Sequence, residues 1–95
     1  MIKVKGKEVE LHMDWFTMTK LDKEFGIKLN NLAELENSPV LQTDVLIALM
    51  PKDVTLTFEE ACEVFNENGP VKVVSELSDV IIKYFGEDLQ GETKA

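Results

Sequence analysis

Between Ser38 and Pro51 the chain reads "SPVLQTDVLIALMP", and from Val45 to Met50 no side chain is polar. Ser38 is placed to cap a helix, Pro39 suits the first helical position where its missing N–H is not needed, and Pro51 cannot continue the helix. A helix over Pro39–Met50 that is apolar all round at its C-terminal end must be wrapped by the rest of the domain. A chain of 95 residues has one modest core to offer. The segment therefore predicts a single domain built around a buried central helix.

The remaining elements read as that wrapping. In "IKVKGKEVELHM", Ile2 and Val4, then Val9, Leu11 and Met13, alternate onto one side of two extended runs. The three-residue connection "KGK" around Gly6 predicts a bulged β-hairpin over 2–13. Asp14 caps a helix through "WFTMTKLDKEF", in which Phe16, Met18, Leu21 and Phe25 recur at helical spacing, with Gly26 as the left-handed stop and Ile27 folding back. A short helix follows over Asn30–Glu36 through Leu32 and Leu35. Thr57 and Glu60 form a capping box that starts a helix running to Asn68, with Leu56 as staple. Gly69 closes it, Pro70 opens the last helix and Gly86 ends that one. The predicted fold class is mainly α (α+β), with about four to five short helices around the central one and an N-terminal β-hairpin. The domain spans 1–86, and 87–95 form a flexible polar tail.

Composition narrows the function classes. All ten basic residues are lysine, against 18 acidic ones, for a net charge of −8. Without arginine there is no bidentate fork for phosphate or guanine, and the charge repels a polyanion, so no nucleic-acid partner is expected. No apolar run approaches the roughly 18 residues of a membrane span, and "MIKVKGKEVE" has no apolar signal core, which predicts a cytoplasmic chain with no membrane partner. The single Cys62 excludes an internal disulfide and lies in "FEEACEVF" as a small buried hydrophobe.

No reaction chemistry is predicted. His12 takes the outward register of the second strand, and Glu59 and Glu63 share a solvent face. No phosphate loop, EF-hand or zinc spacing occurs, so neither a metal, a cofactor nor a catalytic residue is expected. Ser38 invites comparison with acyl carrier proteins, whose prosthetic serine starts a central helix. Here Asn37 stands in place of that family's aspartate and Pro39 in place of its leucine. An N-terminal hairpin also has no place in a four-helix carrier.

The order of these phrases, from the "IKVKGKEVELHM" hairpin through "LDKEFG" and the apolar middle helix to "LTFEEACEVF" and a C-terminal apolar helix, resembles the tail assembly chaperones of long-tailed bacteriophages over residues 2–86. The resemblance implies binding to the long helical tape-measure protein, kept soluble while tail-tube subunits polymerise around it. Those subunits are a further candidate partner. It also implies action in the cytoplasm of the bacterial host and absence from the mature virion.

The last helix supplies a candidate face for that client. In "PVKVVSELSDVIIKYF", at about 100° per residue, Lys72, Glu76, Asp79 and Lys83 cluster on one side while apolar residues span about 200°. A surface helix needs a stripe of about 100° to reach its core. We assign Val73, Leu77, Val80 and Tyr84 to a client or self-association face, with Val74, Ile81 and Phe85 entering the core. Two other readings stay open: the helix is packed on both sides by its own domain, or the chain is a small oligomerising structural or regulatory module using the same arc.

Overall fold

The computed structural model describes the backbone of residues 1–94 and the side chains of residues 1–86. Strands β1 (Ile2–Val4) and β2 (Lys7–Val9) form an antiparallel hairpin, followed by α1 (Trp15–Phe25), a 3-10 helix (Leu29–Asn37), α2 (Pro39–Ala48), α3 (Phe58–Asn68) and α4 (Pro70–Lys94). This is the mainly helical, α+β arrangement that the periodicity predicts.

The hairpin departs from the expected connection. Ile2 pairs with Val9 and Val4 with Lys7, so the turn contains only Lys5 and Gly6. Both have positive φ, 53° and 82°, which is the twist-matched geometry of a two-residue hairpin loop rather than a three-residue bulge. A lysine in the left-handed region costs about 1 kcal/mol. Its ammonium gains an ion pair with Glu60 at the start of α3, which ties the turn to the helical body. The second strand is also shorter than the alternation suggested. Leu11 and Met13 are buried, but they lie in an extended segment pinned to the end of α2 by the His12 N–H donating to the Leu49 carbonyl at 3.0 Å.

Local signals set the helix ends. Asp14 Oδ1 accepts from the Thr17 N–H at 2.8 Å and starts α1. Gly26, at φ 68°, ends it, with Gly26 N–H on the Asp22 carbonyl and Ile27 N–H on that of Leu21. This double closure buries Ile27 against the last turn. Ser38 Oγ accepts from the Leu41 N–H at 3.2 Å to start α2. Thr57 and Glu60 exchange their reciprocal bonds at the start of α3.

One expected end is not observed. α4 continues through Gly86 to Lys94. Gly86 lacks the left-handed φ that makes Gly26 a stop, and a glycine held in helical conformation weakens a helix by about 1 kcal/mol without breaking it. The side chains of the expected polar tail, 87–95, lie outside the described residues.

α2 is central and touches α1, the 3-10 helix, α3 and α4. Val45, Leu46 and Leu49 are wholly buried, Ala48 and Met50 nearly so, and Ile47 is half-buried at the rim. Buried Thr43 satisfies its hydroxyl by donating to the Pro39 carbonyl at 2.8 Å. Leu21 from α1, Ala61 and Val64 from α3, and Val73 and Leu77 from α4 close over this helix, with Ile2 and Val4 of the hairpin in the same core.

Candidate functional site

The assigned face of α4 divides once the helix is packed. Val73 and Leu77 are wholly buried, so they are core rather than client face. Val80 and Tyr84 are half-buried and pack against that core. Ile81 enters it as expected, Phe85 packs partly against it, and Val74 is half-buried. The physical reason is rotation. α4 packs against α3, α2 and the 3-10 helix, and its buried row is Val73–Leu77–Ile81, which takes half of the arc assigned to a partner.

The half left uncovered is the opposite edge. Val71 is 84% exposed and Ile82 65% exposed. With Val74 and Ser78 they fall at helical spacing along one side of α4, a strip about 16 Å long from Val71 to Ile82 at 1.5 Å per residue. This strip forms one wall of an open groove of about 570 Å³. The facing wall carries Glu36 from the end of the 3-10 helix and Gln42 from α2. Gln42 is held by its own amide, which donates to the Leu35 carbonyl at 2.8 Å. The one sequence signal that marks this edge is its serines. Ser78 interrupts the apolar arc and Ser75 borders it on the side of Val71 and Ile82, whereas no polar residue interrupts the row Val73–Leu77–Ile81.

A second apolar surface lies at the start of α1. Trp15 and Phe16 are 67% and 64% exposed, and Leu29 is also exposed. Phe16 was expected inside with Met18 and Leu21. Instead α1 turns Thr17, Met18 and Leu21 inward, and the Phe16 ring lies under Lys52 Nζ, 5.7 Å from its centroid. Trp15, Met18, Ile27 and Leu29 line a shallow hollow beside it.

The polar candidates occupy structural places. His12 is exposed as predicted and its Nε2 lies 3.0 Å from Asp14 Oδ2. Thr17's backbone N–H, and then His12, hold the Asp14 carboxyl below its ordinary value, which makes it a weak base. Ser38 is half-buried and its oxygen serves the α2 cap. Cys62 is half-buried rather than buried. Glu59 and Glu63 are exposed. Among the described residues no three His, Cys, Asp or Glu side chains gather as metal ligands, and no helix is long and apolar enough to cross a membrane.

Comparison of the chain with protein-family models, with curated proteins and with solved structures finds no match.

Proposed function

We propose that this chain is a tail assembly chaperone of a long-tailed bacteriophage, which holds the tape-measure protein soluble while the tail tube is built around it. The observation that carries the reading is the strip Val71–Val74–Ser78–Ile82, exposed at both ends and lying along an open groove beside the buried row of α4. Apolar residues left together at a groove, with polar residues at its rim, mark an interaction site. A groove with one side formed by the length of a helix suits a second, amphipathic helix laid along it. A tape-measure chain is such a partner throughout its length. The order of hairpin, aromatic helix, apolar middle helix and final apolar helix supports the same reading. The chaperone then acts in the host cytoplasm, with tail-tube subunits as a further partner, and is absent from the finished virion.

The test is co-expression with the tape-measure gene of the same genome. The client should move from the pellet to the soluble fraction and co-purify with this chain. A tape-measure protein equally insoluble with and without it would overturn the proposal. A second reading, a small oligomerising structural or regulatory module, is favoured by the separate exposed pair Trp15 and Phe16. Sedimentation of the chain alone distinguishes it, because that reading requires a stable oligomer that loses its contacts in Trp15→Ser.

A further inference from the structure

The groove beside α4 carries information about the charge of its occupant. Its apolar strip is interrupted by Ser78 and bordered by Ser75, small side chains that allow another helix to approach closely. The ionisable residues lining it are Glu36 on one wall and Asp79 on the other, both acidic. Lys72 and Lys83 lie further round α4 and do not line the groove. The whole chain adds a net charge of −8, which attracts cations over the same surface.

From this juxtaposition we infer that the groove selects amphipathic helices whose apolar stripe is flanked by lysine or arginine. The inference rests on the reading of the chain as a chaperone for helical segments and names the class of segment it holds. The stripe lies on Val71, Val74 and Ile82, while the flanking cations reach Glu36 on one side and Asp79 on the other. Apolar contact supplies most of the affinity, and the carboxylates set the preference and the rate of encounter. A second copy of this chain is the poorer occupant. A two-fold contact through the groove places each patch against itself, so Glu36 and Asp79 would meet the same acids of another copy that also carries −8.

The experiment uses the full chain and three labelled helical peptides of about four turns. They share one leucine–alanine stripe and are flanked by lysine, glutamine or glutamate. Fluorescence anisotropy should rank them lysine, glutamine, glutamate, with about tenfold between the extremes at low salt. The gap should narrow at about 0.5 M salt, where screening is strong. Glu36→Lys with Asp79→Lys should invert the order. Glu63→Lys with Glu67→Lys, exposed changes on α3 of the same total charge, should leave the order intact. Circular dichroism confirms that both variants are folded.

Equal affinities, an order unchanged by the groove reversal, or an order shifted as much by the α3 control would each overturn the inference. So would failure to bind any peptide, or a dimer of the parent chain that Ile82→Ser dissolves. The chaperone reading fails separately. If the lysine-flanked peptide binds as expected and the tape-measure protein is still not held, that reading falls and the groove preference stands. If the groove-reversed variant holds the tape-measure protein as firmly as the parent, the preference falls and the chaperone reading stands.

Discussion

Asn68, in the last turn of α3, grips Lys3 of β1 in both directions: the Lys3 N–H donates to Asn68 Oδ1 at 2.8 Å, and Asn68 Nδ2 donates to the Lys3 carbonyl at 2.7 Å. The same amide donates to the Val64 carbonyl at 2.8 Å. Because Lys3 sits opposite Glu8 between the two outer pairs of the hairpin, its backbone groups face away from β2. One side chain thus supplies what a third strand would supply and closes an edge otherwise open to another chain. Asn68→Ala should cost about 1–2 kcal/mol in lost bonds, offset by about 0.5 kcal/mol of helix propensity. Hydrogen exchange should show the larger effect, at the Lys3 amide. Unchanged protection there would mean that the grip does not persist in solution.

Acid should loosen two helix starts together. The Asp14 carboxyl is held below its ordinary value first by the Thr17 backbone N–H and then by His12, and that of Glu60 first by Lys5 and then by the Thr57 N–H. Both are depressed in the folded chain. Their contribution is fully present above the unfolded-state values near about 4 and is lost as pH falls through the lower folded values. Asp14→Asn combined with Glu60→Gln should therefore flatten the fall in melting temperature below about pH 4. An acid limb as steep as the parent's would place the responsible carboxylates elsewhere.

Asp44 has the opposite sign. It is half-buried on α2, and desolvation raises its carboxyl above the ordinary value. The folded chain holds this proton more tightly than the unfolded one, so ionised Asp44 lowers stability above its raised value, and the cost is relieved as pH falls. Asp44→Asn should melt higher than the parent at pH 7, with the advantage gone below about pH 4. A variant no more stable at neutral pH would mean that the carboxylate finds a partner in solution.

The central helix distinguishes neighbours in sequence. Leu46 is wholly buried, whereas Ile47 lies half-buried at the rim of a hollow of about 280 Å³ with Phe16 and Pro51. Leu46→Ala should cost about 2–5 kcal/mol. Ile47→Ala, with less surface to lose, should cost clearly less, although both residues look equally apolar in sequence. Urea midpoints of the two variants that coincide would contradict the difference in burial between Leu46 and Ile47.

What could be read from the sequence follows from how far each determinant reaches. Asp14 with Thr17, Ser38 with Leu41, and Thr57 with Glu60 are contacts over three residues, so the starts of α1, α2 and α3 were legible. The two-residue Lys5–Gly6 turn is not legible locally, because its lysine is compensated by Glu60, a partner distant in sequence. α4 differs for another reason. Periodicity gives the width of an apolar arc, but its rotation toward α2 and α3 is a tertiary fact, so periodicity alone does not put Val73 and Leu77 on the core side of the boundary. The exposure of Trp15 and Phe16 has the same origin, since α1 carries more apolar surface than its neighbours cover.

That boundary yields the most decisive pair of variants. Val73 is wholly buried between α4 and its neighbours, so Val73→Asn places an amide among apolar side chains at a cost of several kcal/mol, out of a total of about 5–15 for a domain. Melting should fall by several degrees for each kcal/mol in a chain of this size. Val71 and Ile82 are mostly exposed already, and Val71→Ser with Ile82→Ser should change stability by no more than about 0.5 kcal/mol at each site. If they anchor the tape-measure helix, the same pair should weaken client binding by more than about 1 kcal/mol each, because apolar anchors at the centre of an interface carry most of its energy. Thermal melts and titration of each variant with a soluble tape-measure fragment check both halves. The expected pattern is a crossed one: Val73→Asn loses stability and binds in proportion to its folded fraction, whereas the serine pair keeps its melting temperature and loses the client. A serine pair that binds as tightly as the parent would move the client to the other exposed apolar surface, at Trp15, Phe16 and Leu29.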